Sequence, residues 1–248
     1  MENIRKYSLH NGNCLEVMKN IQSESIDLIL CDLPFGITSC KWDSIIPFED
    51  LWKQYNRIIK KNGAIVLFSA QPFTTKLINS NLKHYRYSWY WIKDRATGHI
   101  FAKNQPMRKV EDINVFYKQK PLYIPQGLKK IDKPKIKKQT KTDNYDYVYK
   151  SLNLQKEIKS EFTNYPNNLL FFKKESKTVH PTQKPCDLLS YLIKTYTREG
   201  DIVLDNCMGG GSAGVACATT KRRFIGIELY NKYFKIAKER VEKAYKEN

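Results

Sequence analysis

Two short stretches of this chain bring together residue types that can do chemistry. The first, Asp32-Leu33-Pro34-Phe35, follows the apolar run Ile26-Asp27-Leu28-Ile29-Leu30-Cys31. A carboxylate, a rigid turn that exposes carbonyls and an aromatic ring can together hold a planar base. The oxygens accept from an exocyclic amino group while Phe35 stacks on the ring face. Taken alone, the tetrapeptide fits a capped loop with a buried Phe at least as well. The second stretch is Asp205-Asn206-Cys207-Met208-Gly209-Gly210-Gly211-Ser212, with Glu228 ending the next apolar run. Glycines let backbone N–H groups approach a ligand at a helix N-terminus, and a carboxylate at a neighbouring strand end can bind ribose hydroxyls.

Other readings compete for the glycines. Gly209-x-Gly211-x-x-Gly214 fits a dinucleotide fingerprint, and Gly210-x-Ser212-x-Gly214 fits a hydrolase nucleophile elbow. The hydrolase reading fails on order, because its acid and histidine should follow the serine, yet the last histidine is His180. The dinucleotide reading fails on length, since only one strand and one helix remain after the glycines.

The elements that must position these residues alternate along the chain. The run 26–31 reads as a buried strand that stops before Pro34. Spacing of Leu51, Trp52, Tyr55, Ile58 and Ile59 predicts a helix over 48–60, ended by Asn62-Gly63, and Ala64–Phe68 reads as a second strand. A helix opened by Pro72 and two strands, 87–92 and 113–117, come next. Beyond the middle of the chain follow a helix over 186–196, a strand over 201–205, a small-residue helix over 212–220, a strand over 224–228 and a last helix over 231–246. Strands alternating with helices indicate an α/β fold with a parallel, doubly wound sheet, which binds ligands beyond the carboxyl ends of its strands.

The 248 residues carry 43 Lys and Arg against 25 Asp and Glu, a formal charge of +18. That excess calls for a polyanionic partner, since each neutralised phosphate releases a counterion. Much of it lies between Lys118 and Thr142, where nine lysines and three prolines leave almost no apolar periodicity. Within it, Lys129 to Lys138 cannot bury itself and is expected as a solvated loop, or as a segment ordered by a partner. Tyr145, Tyr147 and Tyr149 follow it in alternation. The six cysteines are scattered with no C-x-x-C pair, which argues against zinc and disulfides and for a reducing cytoplasm. No apolar run approaches bilayer length, and the polar start lacks a signal-peptide core, so no membrane association is expected.

On these residues the sequence resembles the beta group of DNA amino-methyltransferases. Their catalytic motif Asp-Pro-Pro-Tyr/Phe stands here as Asp32-Leu33-Pro34-Phe35. Their cofactor motif Asp-Pro-Phe-x-Gly-x-Gly stands as Asp205 to Gly211, and their His-Pro-Thr-Gln-Lys-Pro motif is complete from His180 to Pro185. The group's order is also present: catalytic motif first, target-recognition insert second, cofactor motif last. The resemblance covers the chain outside roughly 121–162.

It implies a Rossmann-like methyltransferase fold, circularly permuted, with a mostly parallel seven-stranded sheet. The expected divisions are a catalytic half at 1–117, a target-recognition insert at 118–165 and a cofactor-binding half at 166–248. The implied reaction moves methyl from S-adenosylmethionine to N6 of an adenine flipped out of double-stranded DNA, without a metal. N4 of cytosine is the alternative, although that specificity usually has Ser where this chain has Asp32. A methyltransferase-like DNA-binding protein without activity is another alternative, RNA is a weaker substrate reading, and a homodimer is compatible with all of them.

The resemblance also assigns roles. Asp32 and a carbonyl near Leu33 or Pro34 would hold the amino group, with Phe35 as the stacking surface. Glu228 would bind the ribose and Asp205 the amino-acid end of the cofactor, on a loop shaped by Gly209 and Gly211. His180 and Thr182 would close over the methionine portion, with Asn13 and Cys14 near the adenine. Lys129, Lys130, Lys133, Lys135, Lys137, Lys138 and Lys141 would hold phosphates. Three departures stand out: Leu33 replaces a proline, Asn206 and Cys207 replace Pro-Phe and so remove an aromatic beside the cofactor, and Asn13 stands where Asp is common.

Overall fold

A computed structural model of the chain describes residues 6–38, 40, 43–138, 157–175, 179 and 183–248. The chain divides into two compact units, 1–124 with 168–248, and 125–167.

The strands are β1 (Tyr7–Asn11), β2 (Ile26–Asp32), β3 (Ile59–Ser69), β4 (Tyr85–Thr97), β5 (Arg108–Phe116), β6 (Lys129–Lys138), β7 (Glu157–Thr163), β8 (Leu169–Phe172), β9 (Ile202–Asp205) and β10 (Arg223–Glu228). The helices are α1 (Cys14–Lys19), α2 (Phe48–Ile58), α3 (Phe73–Ser80), α4 (Cys186–Tyr196), α5 (Ser212–Thr219) and α6 (Asn231–Glu247).

The larger unit is an α/β sheet in the order β1-β10-β9-β2-β3-β5-β4-β8. Neighbours from β1 to β3 are parallel, β5 runs antiparallel to both β3 and β4, and β8 is parallel to β4. The sheet thus has eight strands where seven are expected. Neither edge strand, β1 or β8, stands out in the sequence; β8 is too short to show a period and is fixed by buried Leu170 and by Trp91 Nε1 donating to the Phe172 carbonyl at 2.8 Å.

Alternation along β2 shows why the sheet is doubly wound. Leu28 and Leu30 point into a core with Leu188, Leu192 and Ile193 of α4, Ala216 of α5 and Val241 of α6. Ile29 and Cys31 point the other way, among Leu51, Tyr55 and Ile58 of α2 and Leu77 of α3. Strands covered on both faces read as continuous apolar runs, and each fully buried Leu or Ile contributes ~1.5–3 kcal/mol. The winding sets the carboxyl ends of β2, β9 and β10 side by side.

Two expectations about elements are corrected. α2 ends at Ile58, and Asn62-Gly63 lies inside β3 instead of terminating the helix. Ile26 pairs with Ile59 and Leu28 with Ala64, so the intervening residues bulge. Gly63 is needed for close approach: a Cβ there would sit 2.7 Å from the Ile59 side chain and 2.9 Å from the Asp27 carbonyl oxygen.

The stretch Lys129–Lys138, in the smaller unit, is a strand and not a solvated loop. β6 pairs antiparallel with β7, from Lys129 opposite Thr163 to Lys138 opposite Glu157. The register slips between Lys130 and Lys135, around Pro134, which has no N–H to give the ladder. The missed signal was the partner strand Glu-Ile-Lys-Ser-Glu-Phe-Thr, which satisfies backbone groups without needing a core. Lys141, Tyr145, Tyr147 and Tyr149 lie outside the described residues. The smaller unit begins at 125, and the residues just before it stay with the larger one: Ile124 N donates to the Thr195 carbonyl at 2.8 Å and Tyr123 stacks on Trp89. Among the described residues no helix is long and apolar enough to cross a membrane.

Candidate functional site

Asp32 ends β2, and buried Leu33 turns the chain toward Phe35. The loop beyond is held by one carboxylate. Asp43 accepts from the backbone N–H groups of Phe35, Gly36, Ile37 and Thr38 at 2.7, 2.8, 2.9 and 2.7 Å. Burial alone would raise the Asp43 carboxyl, but these donors outweigh it and hold it below the usual range. Phe35 stacks one face on Phe73, with centroids 5.1 Å apart.

Asp32 Oδ2 lies 2.6 Å from Lys184 Nζ. Its Oδ1 is buried with no hydrogen-bond partner. Lys184 also lies 3.4 Å from Glu111 Oε2, and Lys93 lies 2.7 Å from Glu111 Oε1. Two lysines therefore face two carboxylates in a largely buried cluster that balances its own charge. Burial pushes Asp32 upward against the pull of Lys184. Glu111 is also penalised by burial, but Lys184 and Lys93 together hold it down. Lys184 is set in place by its neighbours. Gln183 donates to Glu175 at 2.6 Å and accepts from Val179 N at 3.0 Å, while Glu175 also accepts from Cys186 N at 3.0 Å.

At the end of β9, Asp205 is buried, and burial raises its carboxyl to about 7 despite a hydrogen bond from Cys207 N. Asn206 accepts from the Tyr55 hydroxyl at 2.5 Å, so the polar substitution in this motif is tied to α2. Gly209 and Gly211 adopt φ of +50° and +79°, and a Cβ on Gly211 would meet Ala237 of α6 at 3.0 Å. These glycines let the turn pass beneath α6. Glu228 accepts from Gly209 N at 2.9 Å with one oxygen and from Tyr230 N at 2.8 Å with the other. Burial raises it. Asn13 caps α1 by accepting from Leu15 N at 2.9 Å.

These groups meet in one cavity of about 540 Å³, within the size range of small-molecule sites. Asp32, Leu33, Pro34 and Phe35 line it together with Asp205, Cys207, Gly209 and Glu228, and Asn13 and Cys14 line it too. Gly211 shapes the turn behind the wall. His180 and Thr182 lie outside the described residues. Lys129, Lys130 and Lys133 are exposed on β6, and Lys135, Lys137 and Lys138 continue that strand. Sequence reasoning missed Lys93, Glu111, Asp43 and Tyr55, whose roles depend on contacts across 5 to 151 positions. It also passed over Lys184, although that residue stands in the hexapeptide His180 to Pro185. Among the described residues no group of three or more His, Cys, Asp or Glu could hold a metal ion.

The chain is similar to known proteins over most of its length. Residues 26–239 match the model of the N6/N4 methyltransferase family, described as DNA methylase. The chain is 30% identical to the type II methyltransferase M2.DpnII of Streptococcus pneumoniae, over 97% of this chain and 91% of that one. It is 27% identical to the DNA adenine methyltransferase YhdJ of Escherichia coli strain K12, over 94% of this chain and 82% of that one. The crystal structure of an M1.HpyAVI–SAM complex superposes with a TM-score of 0.65 at 23% identity, covering 94% of this chain and 99% of the other.

Proposed function

The chain belongs to the DNA methylase family, and we propose that it transfers methyl from S-adenosylmethionine to N6 of an adenine flipped out of double-stranded DNA. The observation that carries this reading is the single cavity lined by both motifs. A cofactor in the glycine half and a base in the Asp32 half would face each other.

The residues present fit the cofactor. Each oxygen of Glu228 accepts one backbone N–H, which leaves lone pairs for two ribose hydroxyls. Asp205 would take the cationic amino end, and Asn13 and Cys14, which line the same cavity, would hold the cofactor's adenine. Ser212 Oγ is buried at the cavity wall without a partner, a polar group that a ligand would satisfy. When bound, S-adenosylmethionine supplies a methyl group on a sulfonium.

The amino nitrogen of adenine is a poor nucleophile while its lone pair is conjugated with the ring. Asp32 Oδ1 and a carbonyl near Leu33 or Pro34 accept its two N–H bonds, which favours a pyramidal nitrogen with the lone pair toward the methyl. Lys184 occupies Oδ2, so Oδ1 is the oxygen left for the base. Phe35, backed by Phe73, stacks on the ring. Asp43 fixes the loop that carries both groups, and positioning of this kind supplies much of the rate. The raised Asp32 carboxyl suits it to receive the proton that the nitrogen sheds.

The unit 125–167, with the exposed lysines of β6, is the target-recognition region in this reading, and its lysines hold DNA phosphates. One chain supplies both motifs, so the site itself does not require a second copy. The cytoplasm, where the DNA is, is the expected location.

Calorimetry tests the assignment of the cavity. S-adenosylmethionine should bind and NAD should not, and Asp32→Ala should retain cofactor binding while losing methyl transfer. Binding of NAD alone, or transfer by Asp32→Ala at near the original rate, would refute it.

A further inference from the structure

The hairpin between β4 and β5 presents apolar side chains to solvent in an unusual concentration. Ile100 is 90% exposed, Phe101 52%, Met107 45% and Val110 45%. Around them stand Arg95, Lys103, Arg108 and Lys109, all exposed, and the stretch 95–110 contains no acidic residue. Arg95 is paired with Asp94 at 3.8 Å, which leaves Lys103, Arg108 and Lys109 beside the tip, and an exposed apolar tip among such cations fits a polyanion with an apolar interior, which is the chemistry of stacked nucleic acid.

The tip is built to hold its shape. Gly98 turns the chain at φ +92°, and a short 3₁₀ turn, His99–Phe101, follows. Phe101 N donates to the Gly98 carbonyl at 3.0 Å, Ala102 N to that of His99 at 3.0 Å, and Asn104 N and Gln105 N to that of Phe101 at 2.9 and 3.0 Å. The tip therefore satisfies its own backbone while leaving Ile100 outside.

The stem is anchored to the catalytic centre. Thr97 pairs with Arg108 and Ile92 with Val110, and Thr97, Arg108 and Val110 line the mouth of the cavity. Below them Lys93 pairs with Glu111, which reaches Lys184 and through it Asp32. An apolar tip is thus held at a fixed offset from the carboxylate that receives the flipped base.

A base that leaves its duplex vacates a stacked position and strands its pairing partner, at a cost of a few kcal/mol. Apolar side chains that slide between base steps offset that cost. We propose that Ile100 and Phe101 enter the duplex at the position vacated by the target base, while Lys103, Arg108 and Lys109 hold the flanking phosphates. The inference rests on the reading of the cavity as a site for a base drawn from duplex DNA, and it assigns this hairpin to holding the duplex open.

The test is the double variant Ile100→Ala, Phe101→Ala, whose changes lie on the surface and leave the core untouched. Methyl transfer is measured on the mapped target sequence in three forms: fully paired, with the target base opposite an abasic site, and single-stranded. The variant should lose roughly ten- to a hundredfold in kcat/KM on the paired duplex, and about twofold or less where opening costs little. A 2-aminopurine at the target position should brighten with the wild-type protein and much less with the variant. Equal losses on all three substrates, or none on the paired duplex, would overturn the wedge. If the wild-type protein transfers methyl to none of the three, the methyltransferase reading falls, and the wedge with it.

Discussion

Asp205 shows how one buried carboxyl sets the conditions for binding. Its carboxyl is raised to about 7 by burial, so in the free protein it is half protonated near neutrality. A cationic ligand group binds the ionised form. Affinity for S-adenosylmethionine should therefore fall as pH drops below about 7, approaching tenfold per pH unit, and level off above it. Calorimetry from about pH 5.5 to 7.5 checks this, and Asp205→Asn should remove the dependence while weakening binding at neutral pH. A flat profile in the parent protein would remove Asp205 from the cationic end. The residues that matter here were unevenly legible. Asp32, Phe35, Asp205 and Glu228 stood out because each type is tied to a strand end and a loop of recognisable composition. Asp43 did not, since a lone Asp in a polar loop gives no sign of the four N–H groups it gathers. Glu111 reads as an ordinary strand residue until folding brings Lys93 and Lys184 to it.

Among the elements, periodicity served where a face is buried. α4 and α6 emerge close to their predicted bounds because their apolar residues recur at helical spacing against one sheet face. It failed where the backbone decides, as at Gly63, whose absent Cβ permits a bulge instead of ending a helix. It failed again at β6, where pairing with β7 overrides a composition that favours disorder. A two-stranded ribbon is narrow enough to enter the major groove, yet its exposed lysines suit phosphates better than base edges. Replacing Lys129, Lys130 and Lys133 by Ala should flatten the slope of log affinity against log salt, by up to about 0.9 for each phosphate no longer neutralised. The methylated sequence should stay the same. Binding at several salt concentrations, with methylated sites mapped for both proteins, provides the check. An unchanged slope with a shifted target sequence would make the ribbon a reader of bases.

At the scale of the molecule, the order of motifs along the chain becomes a neighbourhood in space. β2 lies beside β9, and β9 beside β10, all parallel, so the loop after Asp32, the glycine turn after Asp205 and Glu228 all lie at the carboxyl ends of neighbouring strands. A charge of +18 suits a polyanion such as DNA, and one cavity is lined by both motifs. In the proposed reading this cavity makes the chain an S-adenosylmethionine-dependent adenine methyltransferase. The most direct measurement incubates the purified protein with duplex DNA and S-adenosylmethionine carrying an isotopically labelled methyl group, then digests the DNA to nucleosides for mass spectrometry. The expected result is label in N6-methyladenine, and none with Asp32→Ala. Label in N4-methylcytosine, or unlabelled DNA from a protein that binds the cofactor, would contradict it.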